Sequence, residues 1–307
     1  GGATYKLNGR NYFYVNGAYM TKAPFFDNVY LSVRTRDVQQ DNVTNEKISS
    51  LEGGYVLNAP KLKLRMTGYY TEFQDQMNVM PFYHDSYQNL VNYAVTNIDK
   101  LHFGGEFGFE AKILPNVTLN GAAAIGRYYF NSRQNATVTL DNDASVLSKD
   151  TVFSQNFRVG GTPQEAYSLG IYYRSPKFWS LNLTGNYFDQ MWLDINPLRR
   201  TSSAVDGVDY KSDLWNNIID QHRFTSQYTV DFFASYSWKL PKSLGFSKNV
   251  FFILNAGVSN LLDNQNMVTG GYEQLRFDFR EKNVDKFPRK SYYAYGLNYF
   301  LSATIRF

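Results

Sequence analysis

Over the last eleven residues of the chain, apolar side chains take alternate positions: Leu297, Tyr299, Leu301, Ala303, Ile305 and Phe307. Asn298, Ser302, Thr304 and Arg306 stand between them, with Phe300 the one exception. A two-residue period places the two sets on opposite faces of a strand. A soluble strand of this length seldom ends on an outward aromatic. A strand that spans a membrane within a barrel does, because one face meets lipid and the other water or protein.

The same alternation recurs along the chain. Leu101, Phe103, Gly105, Phe107, Phe109, Ala111 and Ile113 oppose His102, Glu106, Glu110 and Lys112. Leu62, Leu64, Met66 and Tyr70 oppose Lys63, Arg65 and Thr67, and Val230, Phe232, Ala234 and Tyr236 oppose Asp231, Ser235 and Ser237. Residues 117–126, 181–188 and 250–259 repeat it, with weaker versions at 12–20, 51–57 and 167–173. About ten strands follow, each near the length a tilted barrel strand needs. Helical periodicity is scarce, and the expectation is an all-β, antiparallel transmembrane barrel wall.

Connection lengths alternate as well. Residues 58–61, 114–116 and 174–177 are tight turns, each with a proline that stops ladder pairing, and 239–249 is a longer one. Between them lie connections 22–47, 74–88, 131–164, 190–226 and 261–291, far above the usual loop of roughly 4 to 6 residues. Short turns on the periplasmic side and long loops outside are the asymmetry of an outer-membrane barrel. Aromatics gather at both strand ends, for example Tyr69, Tyr70, Tyr128 and Tyr129 at the loop side and Tyr55, Trp179, Trp238 and Phe307 at the turn side. Amphipathic rings settle at the two bilayer interfaces.

Composition agrees. Of 307 residues 43% are hydrophobic and 17% aromatic, with 25 Tyr and 24 Phe, yet the mean hydropathy is −0.42. No run approaches the roughly 18 to 20 apolar residues of a spanning helix, whereas a barrel needs only every second residue apolar. The formal charge of +4 is too small and dispersed to argue for nucleic acid. Cysteine is absent, which excludes a disulfide-stapled scaffold. The start Gly1-Gly2-Ala3-Thr4-Tyr5 has neither the basic nor the apolar part of a signal peptide, so a mature chain or a piece of a longer one is expected.

Candidate chemistry is thin. His84-Asp85 is the one acid–base pair on offer, but neighbours in sequence point apart more often than together, and a dyad needs hydrogen-bond reach. His102, Glu106 and Glu110 share one strand face, spaced too widely along it for a common ion: positions four apart lie about 13 Å apart. No catalytic residue, metal site or cofactor motif is assigned. Lys63, Arg65, His102, Glu106, Glu110, Lys112, Asp231 and Arg306 are expected on the inward face, holding a plug or ordered water by charge-assisted hydrogen bonds. In the loops, Tyr83, Tyr87, Trp192, Tyr210, Trp215 and Tyr272 beside polar amides are candidates to grip a ligand.

The chain resembles the C-terminal barrel portion of TonB-dependent receptors, in phrasing most like those of Bacteroidota. The residues that carry this are Asn45-Glu46-Lys47 through Glu52-Gly53-Gly54-Tyr55, the preceding Ala23-Pro24-Phe25-Phe26-Asp27-Asn28, Asn260-Leu261-Leu262-Asp263, and the closing strand with Phe307. Asn45 stands where the family usually has proline, and the small glycine often seen in the closing strand is missing. The resemblance spans residues 1–307 and implies about ten strands of a 22-stranded wall, with the N-terminal plug and first strands absent from this chain. It further implies active import of a scarce ligand across the outer membrane of a Gram-negative bacterium, with lipid, the plug, the TonB complex and a surface lipoprotein as partners. Two other readings of the same pattern are a complete small barrel acting as a surface protease, and a passive pore.

Overall fold

The structure is a computed structural model that describes residues 1–41, 43–241 and 249–307. Its strands are β1 (Gly2–Lys6), β2 (Asn11–Lys22), β3 (Glu46–Asn58), β4 (Leu62–His84), β5 (Asn89–Leu114), β6 (Val117–Phe130), β7 (Gln134–Leu140), β8 (Val146–Val152), β9 (Glu165–Arg174), β10 (Trp179–Asp189), β11 (Gln227–Lys239), β12 (Phe251–Ser259), β13 (Val268–Tyr272), β14 (Lys290–Tyr293) and β15 (Asn298–Arg306). The wall runs β1-β2-β3-β4-β5-β6-β9-β10-β11-β12-β15, with β7 and β8 attached to its side and β13-β14 forming a separate ribbon. All ten expected wall strands are present. β1 is an eleventh, paired with β2 across residues 7–10, which continues the alternation of short turns and long loops. β1 and β15 do not pair with each other, so the wall is an open arc of a barrel. The expected turn 239–249 lies mostly outside the described residues.

Antiparallel pairing carries each face across the arc without interruption. One rung reads Leu62, Ala111, Leu119, Ile171, Leu183, Phe232, Val258 and Tyr299. No second layer covers this apolar face among the described residues, and Tyr299 and Leu301 are 81% and 71% exposed. Neighbouring rungs are polar and bond across strands: Tyr14 Oη with Thr67 Oγ1 at 2.8 Å, Ser168 Oγ to Asn186 Oδ1 at 2.8 Å, and Ser235 Oγ to Asn255 Oδ1 at 2.8 Å. Phe300, the exception in the closing strand, belongs to this polar side. It pairs with Gly257, whose missing side chain leaves room for its ring, and its centroid stands 6.3 Å from that of Phe233. Gly104 has a stricter task, because a Cβ there would lie 2.4 Å from the Ile125 carbonyl oxygen and 2.7 Å from Tyr69 Oη.

β4 and β5 run 23 and 26 residues, more than twice the roughly 9 to 11 that cross a bilayer at a tilt. Their register shifts between Phe73 and Asn78, where Asp75 and Asn97 take positive φ, and the pair then continues as a fin beyond the wall. The expected loop 74–88 is therefore a correction: only its tip turns, and the rest is ladder. Likewise 131–164 holds the β7–β8 hairpin, with β7 pairing to the fin edge of β5. The opposite fin edge is guarded by Asn28, which receives Val79 N–H at 3.0 Å and donates to the Met77 carbonyl at 3.0 Å. Pro81, with no N–H to offer, stands further along that edge.

The main apolar core lies in this fin: Val91, Tyr93, Val95, Ala136, Val138, Val152 and Leu198, with Phe82 and Phe279 against it. At the fin tip His84 is buried, stacked 5.4 Å from the Phe279 ring and 4.6 Å from Tyr87. Asp85 receives the Arg276 guanidinium on both oxygens. The two side chains thus engage the last loop and not each other, which removes the His84-Asp85 dyad. Where β12 ends, Asn260 and Asp263 take positive φ. Asp231 accepts Asn260 N–H at 2.9 Å, and Asp263 accepts Leu297 N–H at 2.8 Å, fastening the tops of β11, β12 and β15 together.

Two outcomes follow. Gly104→Ala lowers the midpoint of heat-induced barrel unfolding, followed by the mobility shift in detergent gels, whereas Gly185→Ala, where nothing stands within 4 Å of the new methyl, leaves it nearly unchanged. Burial holds the His84 imidazole below its ordinary value, with Asp85 pulling weakly the other way. Unfolded, the imidazole binds its proton near pH 6.5, so the folded tip is fully favoured above that pH and loses stability below it. Proteolytic nicking at 85–88 should increase as the pH falls from about 7 to about 5, and His84→Phe should flatten that dependence.

Candidate functional site

The long loops fold onto one another above the wall. Residues 191–194 are held on both sides: Leu193 N–H donates to the His222 carbonyl at 3.0 Å, Phe224 N–H to Met191 at 2.9 Å, and Asp194 N–H to Gly271 at 3.2 Å. Met191, Leu193 and Phe224 are buried there with Val268 against them. A second small core unites Ala204, Ile218 and Phe277. A helix, α1 (Asp213–Ile219), opens on Ser212, whose side chain caps Trp215 N–H.

One buried carboxylate organises this roof. Glu273 accepts Asn196 N–H at 2.7 Å, Arg199 Nη1 at 3.2 Å and Arg200 Nη2 at 3.1 Å, with Arg200 Nη1 on its other oxygen. The arginines also close the end of α1: Arg199 Nε donates to the Ile218 carbonyl at 2.9 Å, and Arg200 to Ile219 at 3.2 Å and Asp220 at 3.0 Å. Cationic donors satisfy the orphan carbonyls of a helix end in this way. Two charges against one, with every strong donor used, is the arrangement a buried ion needs. Sequence reasoning missed it because Glu273 lies 73 residues from Arg200 and no local period links them.

Beside the clamp is a cavity of about 640 Å³ lined by Leu193, Arg199, Asn217, Asp220, Gln221, His222, Glu273, Asp285 and Arg289 among others. Burial, then the Arg289 guanidinium, holds the His222 imidazole below its ordinary value, with Glu273 opposing. Arg289 itself is exposed and makes no hydrogen bond or ion pair among the described residues. A second cavity, about 390 Å³, lies where the 22–46 segment meets the fin base, lined by Phe25, Glu46, Gln76, Met80, Lys100 and others.

The six loop aromatics fall into three groups. Tyr83 and Tyr87 stand at the fin tip; Tyr210 meets Trp215 edge-on at 5.2 Å on the α1 flank; Trp192 and Tyr272 flank the central segment through bridges to Arg223 and Asp194. No ring contact joins the groups among the described residues, and only Tyr272 neighbours the large cavity's Glu273 in sequence. The eight inward candidates share the polar face. Lys63 pairs with Glu110 at 3.1 Å, and Arg65 reaches Tyr14 Oη at 3.1 Å and Glu52 at 3.7 Å. His102 is packed between Phe73 and Tyr128. Asp231 is engaged within the wall by Asn186 at 2.9 Å as well as by Asn260. Glu106, Lys112 and Arg306 lie on the same face.

A search of curated proteins finds no match. Among solved structures, the copper transporter OprC superposes with a TM-score of 0.58 at 16% identity, covering 98% of this chain and 38% of that one. The ferric yersiniabactin uptake receptor FyuA from Yersinia pestis gives 0.59 at 14% identity, with 100% and 37% covered. The siderophore receptor PiuA from Acinetobacter baumannii gives 0.54 at 14%, with 99% and 35% covered. The chain thus spans little more than a third of the structures it matches, and the likeness is one of fold. The family profile described as TonB dependent receptor-like, beta-barrel matches residues 1–261. Together with the two-faced wall and its loop-heavy end, that match establishes that the chain belongs to the TonB-dependent receptor β-barrel family, whose members are transporters and not enzymes.

Proposed function

We propose that this chain is the C-terminal part of the wall of an active outer-membrane importer. The reading is that it captures a scarce ligand at the loop face and delivers it to the periplasm through a plug moved by the TonB complex. The observation that supports it most is the unbroken pairing of an uncovered apolar face with a polar face bonded across strands, as at Tyr14 and Thr67, Lys63 and Glu110, and Asp231 and Asn186. A plug and further wall strands would meet the open edges of β1 and β15, since unpaired edges are not tolerated in lipid. The motifs at 45–55 and 260–263 support a Bacteroidota-type receptor, in which a surface lipoprotein would meet the loop face. A closed small protease barrel is not supported, because the arc is open and His84 and Asp85 are turned to other partners.

For ligand capture, the large cavity beside the Glu273 clamp is the best placed. Arg289 is free to bind, the His222 imidazole is held below its ordinary value by burial and by Arg289, and Arg199 and Asn217 complete a polar lining. Tyr272 and Trp192, next in sequence to the lining residues Glu273 and Leu193, would supply the ring faces nearest to it, with Tyr210 and Trp215 on the α1 flank and Tyr83 and Tyr87 at the fin tip as two separate groups. Lys112, Glu106 and Arg306, with Lys63, Arg65, His102 and Glu110, would face the plug.

Uptake by cells carrying the intact receptor should cease when the inner-membrane proton gradient is dissipated. A panel of siderophores, cobalamin, oligosaccharides and peptides serves as the probe, and uptake that persists, or steady conductance from the purified receptor, refutes the proposal. Arg289→Ala should weaken binding of whichever ligand is taken up by about tenfold, the worth of one charge-assisted contact, without moving the unfolding midpoint of the barrel.

A further inference from the structure

Lys100 is a cation that the wall leaves without a partner. It lies on the polar face of β5, two residues from His102, with Phe73 opposite it on β4 and Phe130 opposite it on β6. The ladder thus gives it an aromatic neighbour on each side, whereas Lys63 on the same face meets Glu110 at 3.1 Å. Its ammonium stands 5.7 Å from the centre of the Phe130 ring and makes no hydrogen bond or ion pair among the described residues. The acids around it are engaged elsewhere. Glu46 takes Lys22 at 3.7 Å and the Gln76 amide, Asp75 takes Lys47 at 2.7 Å, and Asp194 stands against the Gly160 backbone. Lys100 is half-buried, and a charge drawn away from water calls for an opposite charge.

The same lysine helps to line the cavity of about 390 Å³ at the fin base. Apolar side chains reach that cavity from several parts of the chain: Met80 from β4, Val95 and Ile98 from β5, Phe130 from β6, Phe25 from the 22–46 segment and Ile195 from the 190–226 loop. Thr44, Asn78 and Gln134 add neutral polar groups, and the other charged groups there, Lys22, Glu46 and Asp75, already have the partners just described. One unmatched positive charge among apolar groups selects for two properties together. A single negative charge completes the pair. A phosphate or sulfate dianion would bring a second charge with nothing to meet it, and a metal ion would be repelled. The apolar side chains favour a hydrocarbon or aromatic body, which leaves water on entering.

We infer that the fin-base cavity is a binding site for a small organic carboxylate with an apolar body, its oxygens accepting hydrogen bonds from the Lys100 ammonium. It is separate from the cavity beside Glu273. Binding is measured on the purified receptor, so a failure of proton-gradient-driven uptake leaves this inference standing, and the reverse also holds. The test is fluorine NMR on the intact receptor, plug included, with para-fluorophenylbutyrate and its uncharged amide as the two probes. The carboxylate should bind about tenfold or more tightly than the amide, as one charge-assisted contact requires. Lys100→Met should erase that preference by weakening the carboxylate alone, and Lys100→Arg should keep it. Met80→Ala should weaken both probes alike, because it trims an apolar contact that they share. Arg289→Ala, in the other cavity, should change neither. Lys100→Met removes a charge that has no partner, so the variant should fold with an unfolding midpoint no lower than the parent's. Should it fail to fold, the preference for carboxylate over amide in the parent, with the Met80→Ala result, still decides. Equal binding of carboxylate and amide overturns the inference, as does a Lys100→Met variant that holds the carboxylate as well as the parent. Binding of neither probe to the intact receptor also overturns it, and makes the plug the occupant of the cavity.

Discussion

The hydrogen-bond requirement of a peptide backbone in hydrocarbon governs this molecule. Each N–H and C=O at membrane depth must be paired within protein, because no water is there to take its place. The unbroken ladder from β1 to β15 answers that requirement along the whole arc. The alternation of apolar and polar positions follows from it, since a sheet with lipid on one side has two unlike faces. Side-chain detail in the wall serves the same end. Gly104 and Gly257 are small where a ring or a neighbouring carbonyl comes close, so the strands keep their spacing.

Above the wall the physics changes. Water surrounds the loops, and their shape depends on buried apolar clusters and on the Glu273 clamp. These clusters lie in the fin and loops, while the wall contributes almost nothing to a buried core. Strands β4 and β5 link the two regimes: their lower halves belong to the wall ladder, and in the fin above it residues 91–95 of β5 are covered on both faces. His84 and Asp85 at its tip fasten it to the loop that also carries Glu273.

This division explains what the sequence made legible. Wall strands announce themselves through a period of two, and the turns through their prolines. The upper fin does not, because Val91, Asn92, Tyr93, Ala94 and Val95 are all buried, and a strand covered on both faces loses its alternation. β1 is only five residues long, Gly2–Lys6, too brief for a period to show. The loop aromatics could be named from composition but not grouped, since their grouping follows contacts between distant segments. Glu273 gave no signal, because its partners come from another loop and a buried carboxylate looks like a surface one until the chain folds.

On the proposed reading as an importer, the same division bears on where selectivity would reside. In the wall, Asp231 is occupied by Asn186 and Asn260, and Lys63 by Glu110. Such pairs are set by ladder geometry, and changing them for a new cargo would disturb the sheet that lipid demands. In the roof, the cavity beside Glu273 is bounded by side chains from 193–222 and 273–289, none of which takes part in the wall ladder. Exchange of Asn217, His222 or Arg289 alters the lining while the clamp still holds the loops in place. On that reading a single barrel design can serve many ligands, since the bilayer constrains the ladder while the loop residues that line the cavity take no part in it.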